Sequence, residues 1–114
     1  METGTGTILE GTMLSVGFDI GGTTTKVTCV KGEQLCLTET YPTPKDPKEG
    51  IRLLVEHIKK LTTDGEVHAV CGSVPGTVED GVLISARNLS QWNGTPVARM
   101  LSDALGGVPV TLLN

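Results

Sequence analysis

The first part of the chain alternates large apolar residues with small or polar ones in three consecutive segments. The alternation is clearest at residues 13–19, and it is followed by β-branched residues at 24–30 and a third run at 34–41. Such alternation is typical of strands with one buried face. Only the short turns Gly21-Gly22 and Lys31-Gly32 separate the segments, whereas parallel strands need a longer crossover. The pattern therefore predicts an antiparallel three-stranded meander.

After three prolines the hydrophobic period becomes helical. The apolar positions are Ile51, Leu54, Val55, Ile58 and Leu61. Asp46 is the predicted N-cap, with Pro47 at the first helical position and Glu49 closing a capping box. Gly65 is the predicted C-cap. Because this helix carries the chain across the sheet, the strand predicted at residues 67–72 should run parallel to the first strand.

The next residues have weaker periodicity and strong turn signals. Residues 73–80 are predicted as a loop, residues 81–85 as a short strand and residues 86–94 as an irregular segment. The irregular segment holds the only tryptophan, Trp92, which we assign to the core.

A second helix is predicted from its ends. Thr95 is the expected N-cap and Pro96 the first helical residue, and Gly106-Gly107 end the helix. A last strand follows at residues 110–113. The order β-β-β-α-β-(β)-α-β predicts an α/β fold with a mixed sheet, the ribonuclease-H-like half-domain of actin-like ATPases and sugar kinases. Element order alone does not give function.

Composition argues against several classes of protein. The 114 residues carry a net charge of −4, whereas a nucleic-acid binder normally shows a basic face. No apolar run is long enough to cross a bilayer, and no basic cluster adjoins an amphipathic helix. Residues 1–12 lack the features of a signal peptide and are predicted to form a flexible tail before one domain at residues 13–114. We therefore expect a cytoplasmic protein without nucleic-acid or membrane partners.

The cysteines and histidines predict no metal site. Cys29, Cys36 and Cys71 form no C-x-x-C pair and lie in apolar surroundings, which favours reduced, buried thiols. His57 and His68 lack the spacing of metal ligands.

Candidate chemistry begins at the first turn, which reads D-I-G-G-T. Gly21 and Gly22 permit positive φ and a close approach of the backbone, so that their N–H groups can face phosphate oxygens. Thr23 adds a hydroxyl donor, and Asp19 can orient water on a Mg²⁺ ion that bridges the phosphates. An ordinary β-hairpin with a Gly-Gly turn is the alternative. A Walker A loop and a Rossmann fingerprint do not fit this pattern.

Several collinear stretches resemble the ROK family (repressors, open reading frames and kinases) of the hexokinase/actin/Hsp70 superfamily. Residues 17–23 (G-F-D-I-G-G-T) resemble its first phosphate motif, and residues 72–83 resemble its G-x-P-G-x-V stretch followed by glycine. Residues 88–92 (N-L-S-Q-W) resemble its N-L-x-x-W segment. Residues 95–110 resemble its next helix with the following G-x-P-V, and Leu113-Asn114 matches the start of its N-D-A.

The resemblance implies roles for individual residues. In ROK kinases the glycine loop binds the β- and γ-phosphates of ATP. The residues that match it are Asp19, Gly21, Gly22 and Thr23. Lys26 joins this set as the only cation expected nearby, because Thr24 stands where many members have lysine. Gly76 and Asn88 match residues that border the sugar, and Asn114 matches an asparagine that contacts sugar hydroxyls.

The resemblance also implies elements outside the chain. The family's general base is the aspartate expected directly after Asn114, and its structural Zn²⁺ site would lie further on. We therefore expect the 114-residue chain to be the N-terminal part of a kinase and inactive by itself.

The function implied for the complete protein is ATP- and Mg²⁺-dependent phosphorylation of a hexose or N-acetylhexosamine. Its partners would be ATP and a small sugar, and a homo-oligomer is expected. The alternative is a sugar-responsive ROK transcriptional regulator. Such regulators carry a helix-turn-helix before the phosphate motif, and residues 1–12 are too short for one. A pantothenate kinase of the same superfamily is a third reading, and the N-L-x-x-W segment argues against it.

Overall fold

The computed structural model describes residues 13–63 and 65–114, and only the backbone of Cys36. The predicted tail and the predicted burial of Cys36 lie outside the described residues. In chain order the elements are β1 (Met13–Ile20), β2 (Thr24–Lys31), β3 (Gln34–Pro42), α1 (Pro47–Leu61), β4 (Glu66–Ser73), β5 (Thr77–Glu79), β6 (Val82–Ser85), a 3₁₀ helix (Arg87–Trp92), α2 (Val97–Ala104) and β7 (Val110–Leu113). In the part of the chain that is described, no helix has the length and apolar character needed to span a bilayer.

The main sheet has five strands in the order β3-β2-β1-β4-β7. β1, β2 and β3 form the predicted antiparallel meander. β4 runs parallel to β1, and β7 runs parallel to β4. The structure thus confirms the mixed sheet and the crossover that the helical period predicted. The carboxyl ends of β1, β4 and β7 lie at the same edge of the sheet, because these three strands are parallel.

The core lies between one face of the sheet and the two α-helices. In β1 every second side chain points into it, and the first turns of α1 add Ile51 and Leu54. The buried side chains of β1 are Leu14, Val16, Phe18 and Ile20. Few aromatic residues contribute, so aliphatic side chains supply most of the burial that stabilises this layer.

Trp92 is the largest buried side chain, with 1% of its surface exposed, and the prediction that it belongs to the core is confirmed. Its ring lies against Gly50 in α1, where an added Cβ would come within 2.1 Å of a ring carbon. Glycine inside a helix costs about 1 kcal/mol relative to alanine. Here the missing side chain gives the indole the space to pack.

The ends of α1 confirm one cap and correct the other. Asp46 is the N-cap, and its Oδ2 accepts the N–H of Glu49 at 3.0 Å. Gly65 was wrongly predicted as the C-cap, because the helix ends earlier and Thr62 takes that position. The Thr62 hydroxyl donates to the Ile58 carbonyl at 2.7 Å, which satisfies one of the free carbonyls at the helix end.

At α2 the start was predicted incorrectly and the end correctly. Pro96 is the N-cap residue, not the first helical residue, because Thr95 forms an isolated β-bridge with β6. Gly106 and Gly107 have φ values of 78° and 92°. The Gly107 N–H donates to the Ser102 carbonyl at 2.7 Å, and this pairing ends the helix as a Schellman motif.

The segments predicted as irregular contain more structure than expected. Residues 73–80 hold the strand β5, which pairs with β6 as a hairpin. The two residues that connect β5 to β6, Asp80 and Gly81, have φ values of 51° and 78°, as the Asp-Gly hairpin turn requires. Residues 86–94 contain the 3₁₀ helix.

The face of the sheet away from the helices carries smaller and more polar side chains. Cys71 pairs with Gly17 on this face and is exposed, whereas Cys29 on the helical face is buried. The prediction of buried cysteines is therefore right for Cys29 and wrong for Cys71. The reason is the two-residue period of a strand, which sends neighbouring side chains to opposite faces.

Candidate functional site

The carboxyl ends of the parallel strands bring two of the predicted site residues, Asp19 and Asn114, to one edge. Asp19 is near the end of β1, and its Oδ1 accepts the hydroxyl of Ser73, at the end of β4, at 2.8 Å. Asn114 follows β7, whose last residue, Leu113, pairs with Ser73. The N–H of Val74 donates to the Leu113 carbonyl at 3.0 Å. Crevices beyond the carboxyl ends of strands are where open α/β sheets bind ligands.

The Gly-Gly turn is a tight hairpin that exposes one glycine N–H. The Gly21 N–H donates to the Thr24 carbonyl at 2.9 Å and is therefore directed inside the turn. Neither Gly21 nor Gly22 has positive φ, so the expectation that these glycines supply positive φ is wrong. Among the described residues, none accepts the N–H of Gly22. The side chain of Thr23 is exposed beside it.

Gly22 is required by the close approach of another segment. A Cβ on Gly22 would lie 2.9 Å from the Cβ of Asn88 and 3.1 Å from its carbonyl oxygen. Real Cβ atoms essentially never come within 3.0 Å of another heavy atom, so with a side chain at this position the turn or the 3₁₀ helix would have to shift. The missing side chain lets a residue predicted to bind nucleotide touch a residue predicted to bind sugar.

Gly76 lies against the residues that lead into the 3₁₀ helix. It has a φ of 92°, and an added Cβ would come within 2.0 Å of the Ser85 carbonyl oxygen. The next residue, Ala86, donates its N–H to Oδ1 of Asn93 at 2.8 Å. The loop that contains Gly76 thus packs against Ser85 and Ala86, which precede Asn88 by three and two residues. Gly76 and Asn88 therefore belong to the same edge.

A set of hydroxyl groups supports the hairpin from behind. The Thr43 N–H donates to the Thr23 carbonyl at 2.9 Å, and the Thr43 and Thr25 hydroxyls are 2.7 Å apart in a buried position. Burial raises the pKa of Tyr41 to about 12, and a hydrogen bond with Thr25 partly offsets that rise. Tyr41 therefore stays neutral at physiological pH.

Lys45 is a cation near the hairpin that the sequence did not reveal. Its Nζ lies 3.5 Å from the Gly22 carbonyl oxygen, so the expectation that Lys26 is the only cation nearby is wrong. The sequence predicted the third strand but not its register with the second, in which Pro42 pairs with Thr24. This register brings the residues just after the third strand beside the first turn.

Lys26 occupies a different place from Lys45. It is exposed on β2, directly opposite Asp19 in the strand register. It lines a shallow cavity on the open face of the sheet with Gly17 and Thr28. Its charge lies near the Asp19 carboxylate and away from the tip of the turn.

Within the described residues, no group of three or more His, Cys, Asp or Glu side chains is arranged to hold a metal ion. The groups around the turn are the N–H of Gly22, the hydroxyl of Thr23, the ammonium of Lys45 and the carboxylate of Asp19. The two donors and the ammonium group suit phosphate oxygens. One carboxylate is too few for a complete set of metal ligands, but it suits a hydrogen bond to water on a Mg²⁺ ion that bridges phosphates.

Comparison with known proteins finds a matching protein family and similar solved structures. The model of the ROK family matches residues 15–114. A ROK hexokinase from Thermus thermophilus is 28% identical, with a TM-score of 0.79 over 90% of this chain and 35% of that one. A ROK family glucokinase from Streptomyces griseus, solved with glucose and AMPPNP, is 25% identical, with a TM-score of 0.79 over 89% of this chain and 33% of that one. The chain thus spans about a third of the length of these structures.

A ROK family transcriptional regulator, a homolog of the E. coli MLC protein, has the same fold. It is 14% identical, with a TM-score of 0.75 over 90% of this chain and 28% of that one, a likeness that shows the fold alone. Comparison with curated protein sequences finds no match. These likenesses confirm the mixed α/β fold expected from the order of elements.

Proposed function

Because this chain belongs to the ROK family, we propose that the complete protein transfers the γ-phosphoryl group of ATP to a hydroxyl of a hexose or N-acetylhexosamine. The observation that carries the proposal is the contact between Gly22 and Asn88. Phosphoryl transfer depends mainly on positioning and on neutralising charge. The close approach of the Gly21-Gly22 turn to an amide side chain supports the first of these requirements.

On the nucleotide side, the proposed ligands are the β- and γ-phosphates of ATP. The Gly22 N–H and the Thr23 hydroxyl donate to phosphate oxygens, and Gly21 shapes the turn through its bond to Thr24. Asp19 would hold water on a bound Mg²⁺ ion, which would supply neutralisation of charge on the phosphates. Lys26, opposite Asp19 in the register, adds a positive charge near that carboxylate.

On the sugar side, Gly76, Asn88 and Asn114 are the proposed contacts. An asparagine side chain offers a donor and an acceptor, which suits neighbouring hydroxyl groups. The aspartate expected after Asn114 serves as general base and takes the proton of the attacking hydroxyl. Without that group, residues 1–114 should show no sugar-dependent release of ADP.

We further propose that residues 13–114 form the small N-terminal domain of a cytoplasmic, homo-oligomeric kinase, with residues 1–12 as a flexible tail. The share of the kinase structures that the chain covers, about a third, supports this division. The structural Zn²⁺ site is expected in the remaining sequence.

The alternative is a sugar-responsive regulator without kinase activity. Its support is the fold shared with a regulator at 14% identity, whereas the two kinases are 28% and 25% identical. The kinase proposal is preferred because the sequence is closer to the enzymes. The two functions differ in a direct way: a kinase consumes ATP when sugar is added, and a regulator changes its affinity for DNA.

The test is ADP formation by the complete protein with glucose, mannose, N-acetylglucosamine and N-acetylmannosamine. We expect turnover with at least one sugar, and an Asp19→Asn variant should lower kcat by about 100-fold, as expected for loss of one preorganised electrostatic group. Asp103→Asn, an exposed change in α2, is the matched control and should leave kcat unchanged. Absence of ADP with every sugar, together with DNA binding that responds to sugar, would establish the regulator instead.

A further inference from the structure

A small cavity opens beside the hairpin, on the side of the 3₁₀ helix away from the core. It measures about 230 Å³, below the range of roughly 300–1,000 Å³ typical of pockets for drug-sized ligands. Its walls are Lys45 and residues 87–91. We call it the Lys45–Arg87 pocket. Its size suits a small anion better than a nucleotide.

The pocket contains two cations and no carboxylate among its lining residues. Neither Lys45 nor Arg87 forms an ion pair with a described carboxylate. Lys45 and Arg87 differ in this respect from Lys60, which pairs with Glu39, and from Arg52, which pairs with Glu49. Both positive charges of the pocket are therefore available to a ligand.

Polar side chains complete the walls of the pocket. Asn88, Ser90 and Gln91 line it and are exposed, so that amide and hydroxyl donors stand beside the two cations. A guanidinium group can form two parallel hydrogen bonds to a phosphate, and an ammonium group acts as a point charge. This set of donors matches a phosphate oxyanion in both charge and hydrogen bonding.

The two walls are held together by the buried tryptophan. The Trp92 Nε1–H donates to the Pro44 carbonyl at 3.1 Å, which joins the end of the 3₁₀ helix to the residue before Lys45. Gly50 leaves room for the ring. Because the pocket lies between segments fixed in this way, its shape does not depend on the exposed side chains alone.

We propose that the Lys45–Arg87 pocket binds a phosphoryl group distinct from the one held at the Gly22 turn. Its source is either a sugar phosphate product or the distal phosphate of a polyphosphate chain, and both present the same oxyanion to the pocket. The proximity to the turn follows from Lys45 and Asn88, since both line the pocket and contact Gly22. The choice of source rests on the proposed function, but binding of the anion does not.

The experiment titrates the isotopically labelled 114-residue chain with inorganic phosphate, a hexose phosphate and tripolyphosphate, and follows the backbone amides by NMR. We expect the amides of Arg87, Ser90 and Gln91 to shift. In the double variant Lys45→Gln, Arg87→Gln, the Kd should rise at least about tenfold, the size expected for loss of charge-assisted hydrogen bonds. The control Lys59→Gln, Arg99→Gln removes the same charge from exposed positions and should change the Kd less than about twofold.

The ligands distinguish the two sources. Tighter binding of tripolyphosphate, with shifts at both Gly22 and Arg87, identifies a polyphosphate chain, and tighter binding of the hexose phosphate identifies the product. Shifts confined to Gly22 and Thr23, or equal Kd values in the double variant and its control, would overturn the proposal. Because no turnover is measured, a failed kinase assay and a failed titration are separate outcomes.

Discussion

The helix-covered face of the sheet and its carboxyl edge are built by different means. On the covered face, aliphatic side chains such as Leu14 and Leu54 fill the space between sheet and helices. At the edge, the contacts depend on missing side chains, with Gly22 against Asn88 and Gly76 against Ser85. The face derives stability from apolar area, whereas the edge derives its geometry from close approach of backbones.

The difference predicts how each region responds to mutation. A packed apolar face loses stability when atoms are removed, because a cavity remains. A glycine-built edge loses its arrangement when atoms are added, because the neighbouring segment must move. The damaging substitutions should therefore be those that remove atoms on the covered face and those that add atoms at the edge. The two kinds should also differ in their consequences for ligand binding.

The largest expected effect is on the covered face. Leu54 in α1 has none of its surface exposed, and Leu54→Ala should lower the free energy of unfolding by about 2–5 kcal/mol. Leu35→Ala is the control, since Leu35 is 74% exposed and its loss should change stability by no more than about 0.5 kcal/mol. Urea unfolding measures both variants. Similar losses for the two leucines would show that the covered face is not the main source of stability.

The core was predictable from sequence because its signals are local. The two-residue period of β1 and the helical period of α1 each indicate a buried face without knowledge of its partner. The Asp46 cap also follows from neighbouring residues. A local signal that was overlooked is Asp80-Gly81, which predicts the turn between β5 and β6.

The edge was predictable only in part because its contacts join residues distant in sequence. The resemblance pointed to Gly22 and Asn88 separately, but nothing in the periodicity showed that they touch. Lys45 was missed for the same reason, since its position depends on the register between β2 and β3. The pairing of Trp92 with Gly50 is also tertiary, although a glycine inside a helical pattern is a signal of close packing.

The second effect concerns Gly76, where an added methyl group meets both strain and a steric clash. Gly76→Ala should cost about 1–3 kcal/mol more than Gly94→Ala. Gly94 has a similar φ of 84° but no other atom within 4 Å of an added Cβ, so this control isolates the strain of positive φ. Thermal or urea unfolding gives the two values. Equal destabilisation would mean that the Gly76 loop is free to move away from Ser85.

The third effect tests the contact between turn and 3₁₀ helix. Gly22→Ala adds a Cβ that meets Asn88, and Asn88→Gly removes the Cβ on the other side. The double variant should therefore be more stable than the sum of the single changes predicts, by at least about 0.5 kcal/mol. Unfolding of the four proteins of this double-mutant cycle provides the coupling energy. Strict additivity would contradict the contact.

The smallest effect lies away from the edge, at the junction of β3 and α1. The pKa of Glu39 is lowered, first by a hydrogen bond from His57 and then by one from Lys60, whose Nζ is 3.0 Å away. A carboxyl group with a lowered pKa stabilises the fold above its ordinary pKa, and that contribution is lost as pH falls through the lowered value. Stability should therefore decline on acidification below about pH 4.5.

Glu39→Gln should flatten that decline, as measured by urea unfolding between about pH 3 and pH 6. Glu33→Gln, at the exposed β2–β3 turn, serves as the control. It also removes one carboxylate charge, but that carboxylate has no hydrogen bonds from His57 and Lys60. An unchanged slope in Glu39→Gln would show that this carboxylate does not contribute to the acid sensitivity.

The most direct test of the carboxyl edge as the reaction site is a crystal structure of the complete protein with a sugar and a non-hydrolysable ATP analogue. We predict that the Gly22 N–H lies about 3 Å from a terminal phosphate oxygen and that the Asn88 side chain hydrogen-bonds a sugar hydroxyl. Phosphates bound away from the Gly21-Gly22 turn, or a sugar without contact to Asn88, would contradict the proposed function.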